Sequence, residues 1–330
     1  MHYAALDIHK EMFFGTILTE GGNIIESRDY KNTKEALKRF LFIPPNDIQI
    51  TIEACGMWRA YYHAIKALGY DVVLANPVKV KAIVKNKKTD KADSRALADL
   101  LRTGYLPKIY IPDEDVIRLR NIARHRMRLV KYRKSMKVTV KWLLLRDGIK
   151  TGRIWNKAGM QWLKSVNRET RHFADNIEML NMHIKEVERD IRKISASTYL
   201  IALLKTIPGI ADFSATLILA EIGDIKRFEN PKSLVSYAGL CPGIYQSGNT
   251  SRSVRNTACD KYLKYIVMEC AGRAVMLNTR YTRHYARVRR RKGKKVARRS
   301  VARRMMTDIW KMLSKEDPFR DHRDRNTPSI

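Results

Sequence analysis

Acidic side chains are scarce in this 330-residue chain: 33 Asp and Glu stand against 65 Lys and Arg, a formal charge of +32. Such an excess repels itself unless a polyanion neutralises it, so nucleic acid is the expected partner. Cysteine is scarce too. Cys55, Cys241, Cys259 and Cys270 are too scattered for a CxxC zinc site or a disulfide framework, and they read as reduced thiols of a cytoplasmic protein. No apolar run approaches the roughly 20 residues that span a bilayer. No signal-peptide pattern precedes the first strand-like segment, so a cytoplasmic location without a membrane partner is expected. Hydrophobic residues are not lacking. At 45% they supply ordinary cores for two or three domains, which excludes a disordered basic tail.

Strand and helix periods alternate through the first third of the chain. Tyr3 to Ile8, Phe13 to Leu18 and Ile24 to Ser27, with Glu20-Gly21-Gly22-Asn23 as a turn, read as a meander. A helix over Thr33 to Phe40 follows, then the strand Ile48 to Glu53, a helix near Trp58 to Leu68, the strand Val72 to Ala75 and a helix starting near Asp90. This βββαβαβα order is that of ribonuclease-H-like folds, so an α/β domain is expected first. From Asp113 to about Ser197 long helices take over. Ile177, Leu180, Ile184, Val187, Ile191 and Ile194 form one stripe, suited to a coiled-coil hairpin, a dimer seam or the buried face of a globular helix. Asp147-Gly148 to Gly159 reads as the connector between helical arms. A mainly helical region follows, in which Ile207-Pro208-Gly209-Ile210 before the helix Phe213 to Ile222 resembles a helix-hairpin-helix or a simple turn.

The few acids fall in a pattern. Asp7 interrupts an apolar strand and Glu53 closes another, and a carboxylate there is costly to bury unless it lies at the strand edge or holds a cation. In a ribonuclease-H-like sheet these strands lie side by side, bringing both carboxylates to one cleft. Asp90 and Asp93, three apart in the first turn of a helix, project to one side, although each also suits a cap or the helix dipole. Divalent ions, Mg²⁺ or Mn²⁺, held by such a set activate an attacking oxygen and neutralise a leaving one at phosphorus. Lys85, Lys87, Lys88, Lys91 and Arg95 then guide the nucleic-acid backbone.

Two further clusters bear on nucleic acid. Ser247 lies in the glycine-punctuated stretch Ser236 to Asn249, with the phosphate-binding cations Arg252, Arg255 and Lys261 downstream. Most serines in such loops are turn formers. The basic stretch 280–304, with Arg287, Arg289, Arg290, Arg291, Lys294 and Lys295, favours phosphate contacts over a merely solvated face. Tyr281 and Tyr285 are expected to pack inward rather than stack on bases.

Taken in order, Ala5-Leu6-Asp7-Ile8-His9-Lys10, Ile52-Glu53-Ala54-Cys55-Gly56, Lys88 to Ala98, Ile207-Pro208-Gly209-Ile210 and Tyr237-Ala238-Gly239-Leu240 through Ser247-Gly248 resemble the DEDD transposases of bacterial insertion sequences, the IS-one-ten class of RuvC-like recombinases. The resemblance covers nearly the whole chain. It implies a RuvC-like domain over 1–110, a coiled-coil region over 111–198 and a C-terminal transposase domain with a basic tail over 199–330. By it Asp7, Glu53, Asp90 and Asp93 form the metal-binding tetrad, and Ser247 is the nucleophile of a covalent serine–DNA intermediate. It also implies donor and target DNA, a structured guide RNA encoded by the element, and a dimer or tetramer. Where family members often carry a basic residue and then Gly-Asn, this chain has Ala258-Cys259-Asp260, which leaves Ser251 and Ser253 as weaker candidate nucleophiles. The rival enzyme is a RuvC-like junction resolvase using metal-activated water. A nonenzymatic nucleic-acid binder with structural carboxylates is the reading from another class.

Overall fold

The computed structural model describes residues 1–84, 89–241, 243–247, 250–254 and 259–321, with backbone alone for 243–247 and 250–254. The chain divides into two compact units, Met1–Ile111 and Pro112–Ile330.

The first unit is built on a mixed five-stranded sheet in the order β3-β2-β1-β4-β5. β1 (His2–Ile8), β2 (Met12–Thr19) and β3 (Ile24–Lys31) form the antiparallel meander, and β4 (Ile48–Glu53) and β5 (Val72–Ala75) add in parallel on the other side of β1. This arrangement is consistent with a ribonuclease-H-like domain. The helices of this unit are α1 (Lys34–Phe40), α2 (Trp58–Ala67), α3 (Pro77–Ile83) and α4 (Asp90–Arg102).

Alternation along the strands sorts side chains by face. Ala4, Leu6, Ile8, Ile48, Ile50 and Ile52 share a core with Phe13, Phe40, Tyr61 and Ile65, whereas Ala5, Leu18 and Ala75 pack with Leu97, Ala98 and Leu101 of α4. A Cβ on Gly15 would overlap the Phe40 ring, so glycine is what lets α1 settle on β2. β3 runs on to Lys31, beyond the expected end at Ser27, because its backbone keeps pairing with β2 and Tyr30 stacks on Phe13 with ring centroids 5.1 Å apart. Helix α3 was not expected from the sequence. Its signal is Asn76-Pro77: the Asn76 side chain accepts from the amides of Val78 and Lys79, and Pro77 occupies the first turn.

In the second unit α5 (Glu114–Arg146) and α7 (Arg168–Ser197) run antiparallel, joined through α6 (Lys157–Val166). Arg126 donates to Glu188 at 2.6 Å, and Arg133, further along α5, to Asn181 at 2.8 Å. Ile177 packs with Val140 and Leu144, and Leu180 and Ile184 with Leu129. This part of the stripe is therefore covered by α5 of the same chain rather than left as an open dimer seam. α8 (Tyr199–Lys205) leads into α9 (Asp212–Ile222), which is buried from Ser214 to Ile222 and packs against α5, α7 and α8. The long helices and the C-terminal region thus share one unit.

Beyond α9 come α10 (Pro231–Tyr237), the hairpin of β6 (Gly243–Ser247) and β7 (Thr250–Val254), α11 (Lys261–Ala274) and α12 (Arg280–Lys315). Gly209 has φ +91°, and a Cβ there would stand 2.8 Å from the Cys270 carbonyl oxygen and the Ala274 nitrogen of α11. Gly209→Ala is expected to cost about 2 kcal/mol or more, through both strain and overpacking. The measurement is a lower urea midpoint at unchanged slope. Helix α12 breaks at Gly293, where φ is 78°, and its arms 280–292 and 294–315 fold back on each other. His284 Nε2 thereby lies 2.8 Å from Ser300 Oγ, and the Tyr281 hydroxyl donates to Asp308 at 2.7 Å.

One acid in this unit went unnoticed in the sequence. Glu221 of α9 is fully buried and accepts two hydrogen bonds of 2.7 Å from Arg124, with Arg120 at 3.2 Å. Both arginines project from α5, so a bidentate charge pair ties the long helix to the core of the unit.

Candidate metal centre and nucleic-acid contacts

Local structure explains how the N-terminal acids meet. β1 and β4 are parallel with Leu6 opposite Ile52, so the next residues, Asp7 and Glu53, end neighbouring strands at the same edge. Strand alternation puts Asp7 on the face of Ala5 and Glu53 on the face of Thr51, away from the core that holds Leu6 and Ile52. Helix α4 crosses that face. Thr89 caps it by accepting from the Ala92 amide at 3.2 Å, and buried Ser94 lies 2.7 Å from Thr16 of β2, hydroxyl to hydroxyl. The first turn of α4, with Asp90 and Asp93, is thereby pinned beside the end of β1.

His9, in the turn after β1, lies between the acids. Its Nε2 is 3.5 Å from Asp7 Oδ2 and 3.3 Å from Asp90 Oδ2. The donor atoms of Asp7, His9 and Asp90 all lie within 4.8 Å of one another. Ligand atoms on one octahedral ion at about 2.1 Å stand about 3 to 4.2 Å apart. Half-exposed His9 and Asp90 have the freedom to close that difference, so the donor set fits a divalent cation. Asp7 is the covered member, with 13% of its side chain exposed. Burial raises its carboxyl above the ordinary range; His9 opposes that shift, and Asp90 and Asp93 add to it. Acids that raise one another's proton affinity are short of positive charge, which a bound cation supplies. Glu53 is partly buried at the end of β4, opposite Ala75 of β5. His9 was overlooked as a donor in the sequence, although two-residue spacing from Asp7 at a strand end is a signal for one side of the sheet.

The remaining expected residues are spread more widely. Lys91 and Arg95 are exposed on α4 and line a cavity with Thr89 and Arg102. Lys85, Lys87, Lys88 and Arg255 lie outside the described residues. Ser247 ends β6 opposite Thr250, Arg252 is opposite Tyr245, and Ser251 and Ser253 are opposite Gln246 and Ile244. Within the stretch read as a loop, residues 243–247 are therefore strand backbone, held by pairing with 250–254. Lys261 is exposed at the start of α11. Arg287, Arg289, Arg290, Arg291, Lys294 and Lys295 are all exposed on either side of the break at Gly293. Arg287 and Arg291 line a cavity of about 370 Å³ with Val288, Lys292, Val296 and Arg303. Tyr281 packs inward, fully buried.

Known proteins resemble the chain along both units. A DEDD transposase family model of the IS110 group, described as Transposase, matches residues 4–146, and a model described as Transposase IS116/IS110/IS902 family matches residues 201–287. The "Probable family 20 transposase" of Pseudomonas aeruginosa is 24% identical over 332 residues, 96% of this chain and 97% of the relative. The transposase for insertion sequence element IS1328 of Yersinia enterocolitica is 26% identical over 306 residues, 86% of this chain and 90% of its own. The pilin gene-inverting protein of Moraxella lacunata is 27% identical over 265 residues, 74% of each chain. No helix among the described residues is long and apolar enough to cross a membrane. The two family matches fall in chain order over separate segments, and relatives named as transposases run nearly the full length, so the chain is similar to DEDD transposases of the IS110 class along both units.

Proposed function

We propose that this protein is a transposase or recombinase of an insertion sequence that depends on Mg²⁺ or Mn²⁺ and cuts and rejoins DNA through Asp7, Glu53, Asp90, Asp93 and Ser247. The observation that carries this reading is the convergence of Asp7 and Asp90 donor atoms, with His9, within 4.8 Å of one another at the ends of β1 and α4. A divalent ion bound there stabilises charge on the attacking and leaving oxygens of a phosphodiester. Asp7 supplies the covered carboxylate and Asp90 the half-exposed one, while Glu53 and Asp93 complete the acidic set. The relatives' names, transposase and pilin gene-inverting protein, fit the cutting and rejoining of DNA.

In the proposed reaction the Ser247 hydroxyl loses its proton and its oxygen bonds to phosphorus. The bond from phosphorus to a deoxyribose oxygen breaks, and that oxygen takes up a proton. One phosphoester replaces another, so the linkage is kept for rejoining. Lys88, Lys91, Arg95, Arg252, Arg255 and Lys261, with the cations flanking Gly293, hold the phosphates of donor and target DNA. A structured RNA and assembly as a dimer or tetramer complete the proposed partners. Nucleic acid extracted from the purified protein and sequenced, together with a light-scattering mass, tests them.

The decisive experiment uses a labelled suicide DNA substrate with Mg²⁺. A denaturation-resistant protein–DNA adduct that disappears in Ser247→Ala, and persists in Ser251→Ala and Ser253→Ala, is the expected result. Cleavage without an adduct, unaffected by Ser247→Ala, identifies a nuclease that uses water instead. Absence of metal-dependent cleavage leaves a nucleic-acid-binding protein and overturns the enzymatic reading.

A further inference from the structure

His9 is the one nitrogen donor grouped with the acids Asp7 and Asp90 among the described residues, and its backbone is held from several directions. Its amide donates to the Met12 carbonyl at 2.9 Å. Asn32, just past β3, donates its side-chain amide to the carbonyls of His9 at 2.7 Å and Lys10 at 2.9 Å, and its backbone amide to Glu11 at 3.2 Å. The Tyr61 hydroxyl of α2 in turn donates to Asn32 Oδ1. The half-exposed imidazole is thus carried on a fixed turn, with Nε2 between Asp7 at 3.5 Å and Asp90 at 3.3 Å. Anchoring the backbone reduces the freedom lost when a side chain is immobilised on a ligand.

We infer that His9 is itself a ligand at this metal centre, contributing Nε2 beside the carboxylates of Asp7 and Asp90, and that this nitrogen shifts metal preference towards first-row transition ions and away from Mg²⁺. The inference rests on the metal-centre reading above and adds to it the identity of a donor and its effect on selectivity. Mg²⁺ favours oxygen ligands and near-ideal octahedral geometry, whereas imidazole nitrogen strengthens binding of transition ions. Asn32 is a positioning residue bonded to the turn, and Tyr61 acts through Asn32.

Mn²⁺ is the probe, because its unpaired electrons report directly bound nitrogen. Full-length protein loaded with one equivalent of Mn²⁺ is expected to show imidazole ¹⁴N coupling in pulsed electron paramagnetic resonance, and His9→Ala is expected to lose it. In competition titrations His9→Ala lowers Mn²⁺ affinity by at least about 10-fold, the smallest loss seen even for outer-shell partners of a metal ligand, with a much smaller change for Mg²⁺, so the Mn²⁺/Mg²⁺ preference narrows. Asn32→Ala weakens the coupling without abolishing Mn²⁺ binding. His9 is exposed in a turn, and circular dichroism confirms that each variant keeps its fold. Mn²⁺ bound without nitrogen coupling, or coupling that persists in His9→Ala, overturns the assignment of His9 while leaving a carboxylate centre intact. No Mn²⁺ binding that depends on Asp7 overturns the metal centre itself and this inference with it.

Discussion

Asp7→Asn is expected to lower metal-dependent strand cleavage about a thousandfold or more, since it removes the covered carboxylate on which the proposed centre is built. Each tenfold in rate corresponds to about 1.4 kcal/mol of transition-state stabilisation, and a metal ion on phosphoryl oxygens supplies several kcal/mol. Quantified cleavage of labelled DNA by wild type and variant at matched Mg²⁺ is the measurement. A loss below about tenfold would remove Asp7 from the reacting site.

The same substitution is expected to move stability the opposite way when metal is withheld. Burial, partly offset by His9, raises the Asp7 carboxyl in the native state. The native protein therefore holds that proton more tightly than the unfolded chain. The stability linked to it is complete below the ordinary Asp pKa and is lost as pH rises through the raised native value. At neutral pH the charge is a cost, and Asn removes it. Metal-free Asp7→Asn should melt at or above the wild-type temperature. Mg²⁺ at about 100 times its dissociation constant stabilises a protein by about 2.7 kcal/mol, a gain that wild type should show and the variant should lack. Misfolding cannot imitate that combination, because it lowers the melting temperature with and without metal.

Glu221→Ala is expected to destabilise the second unit by about 3–5 kcal/mol, the cost of breaking a buried ion pair from one side. Glu221 is fully buried, and burial pushes its carboxyl upward even though Arg124 and Arg120 pull it down. Its removal takes the carboxylate from Arg124, 29% exposed, and leaves Arg120, 20% exposed, with backbone carbonyls of Ala220 and residue 221 alone. Replacing all three residues by apolar ones, as in Arg120→Met with Arg124→Met and Glu221→Leu, should recover much of the loss because it removes the desolvation cost of every member. Urea unfolding of the full chain measures both. A single-variant cost below about 1 kcal/mol would show that solvent screens this pair as it does a surface one.

Legibility varied with the range of the interactions. β1, β2, β4, β5 and α4 could be located from periodicity because each buries an apolar face that repeats at its own spacing. The bounds of β3 could not, since its later residues are polar and held by pairing to β2. Likewise β6 and β7 carry glycine and serine where a strand usually carries branched side chains, so they read as loop. Glu221 escaped notice inside an apolar helix, because its arginines lie about a hundred residues away in the chain.

The acids of the proposed centre show the same division. The order of residues alone places Asp7 and Glu53 at the ends of apolar strands and Asp90 and Asp93 in the first turn of a helix, and it carries an excess of cations suited to phosphate. Strand and helix periodicity, capping and net charge are local or additive properties, so they survive in one dimension. Folding in three dimensions is what sets the start of α4 beside the end of β1, His9 between Asp7 and Asp90, and Asn32, backed by Tyr61, against the turn of His9. Those facts depend on which face each element buries and on hydrogen bonds between residues distant in the chain, and three-dimensional packing alone selects them.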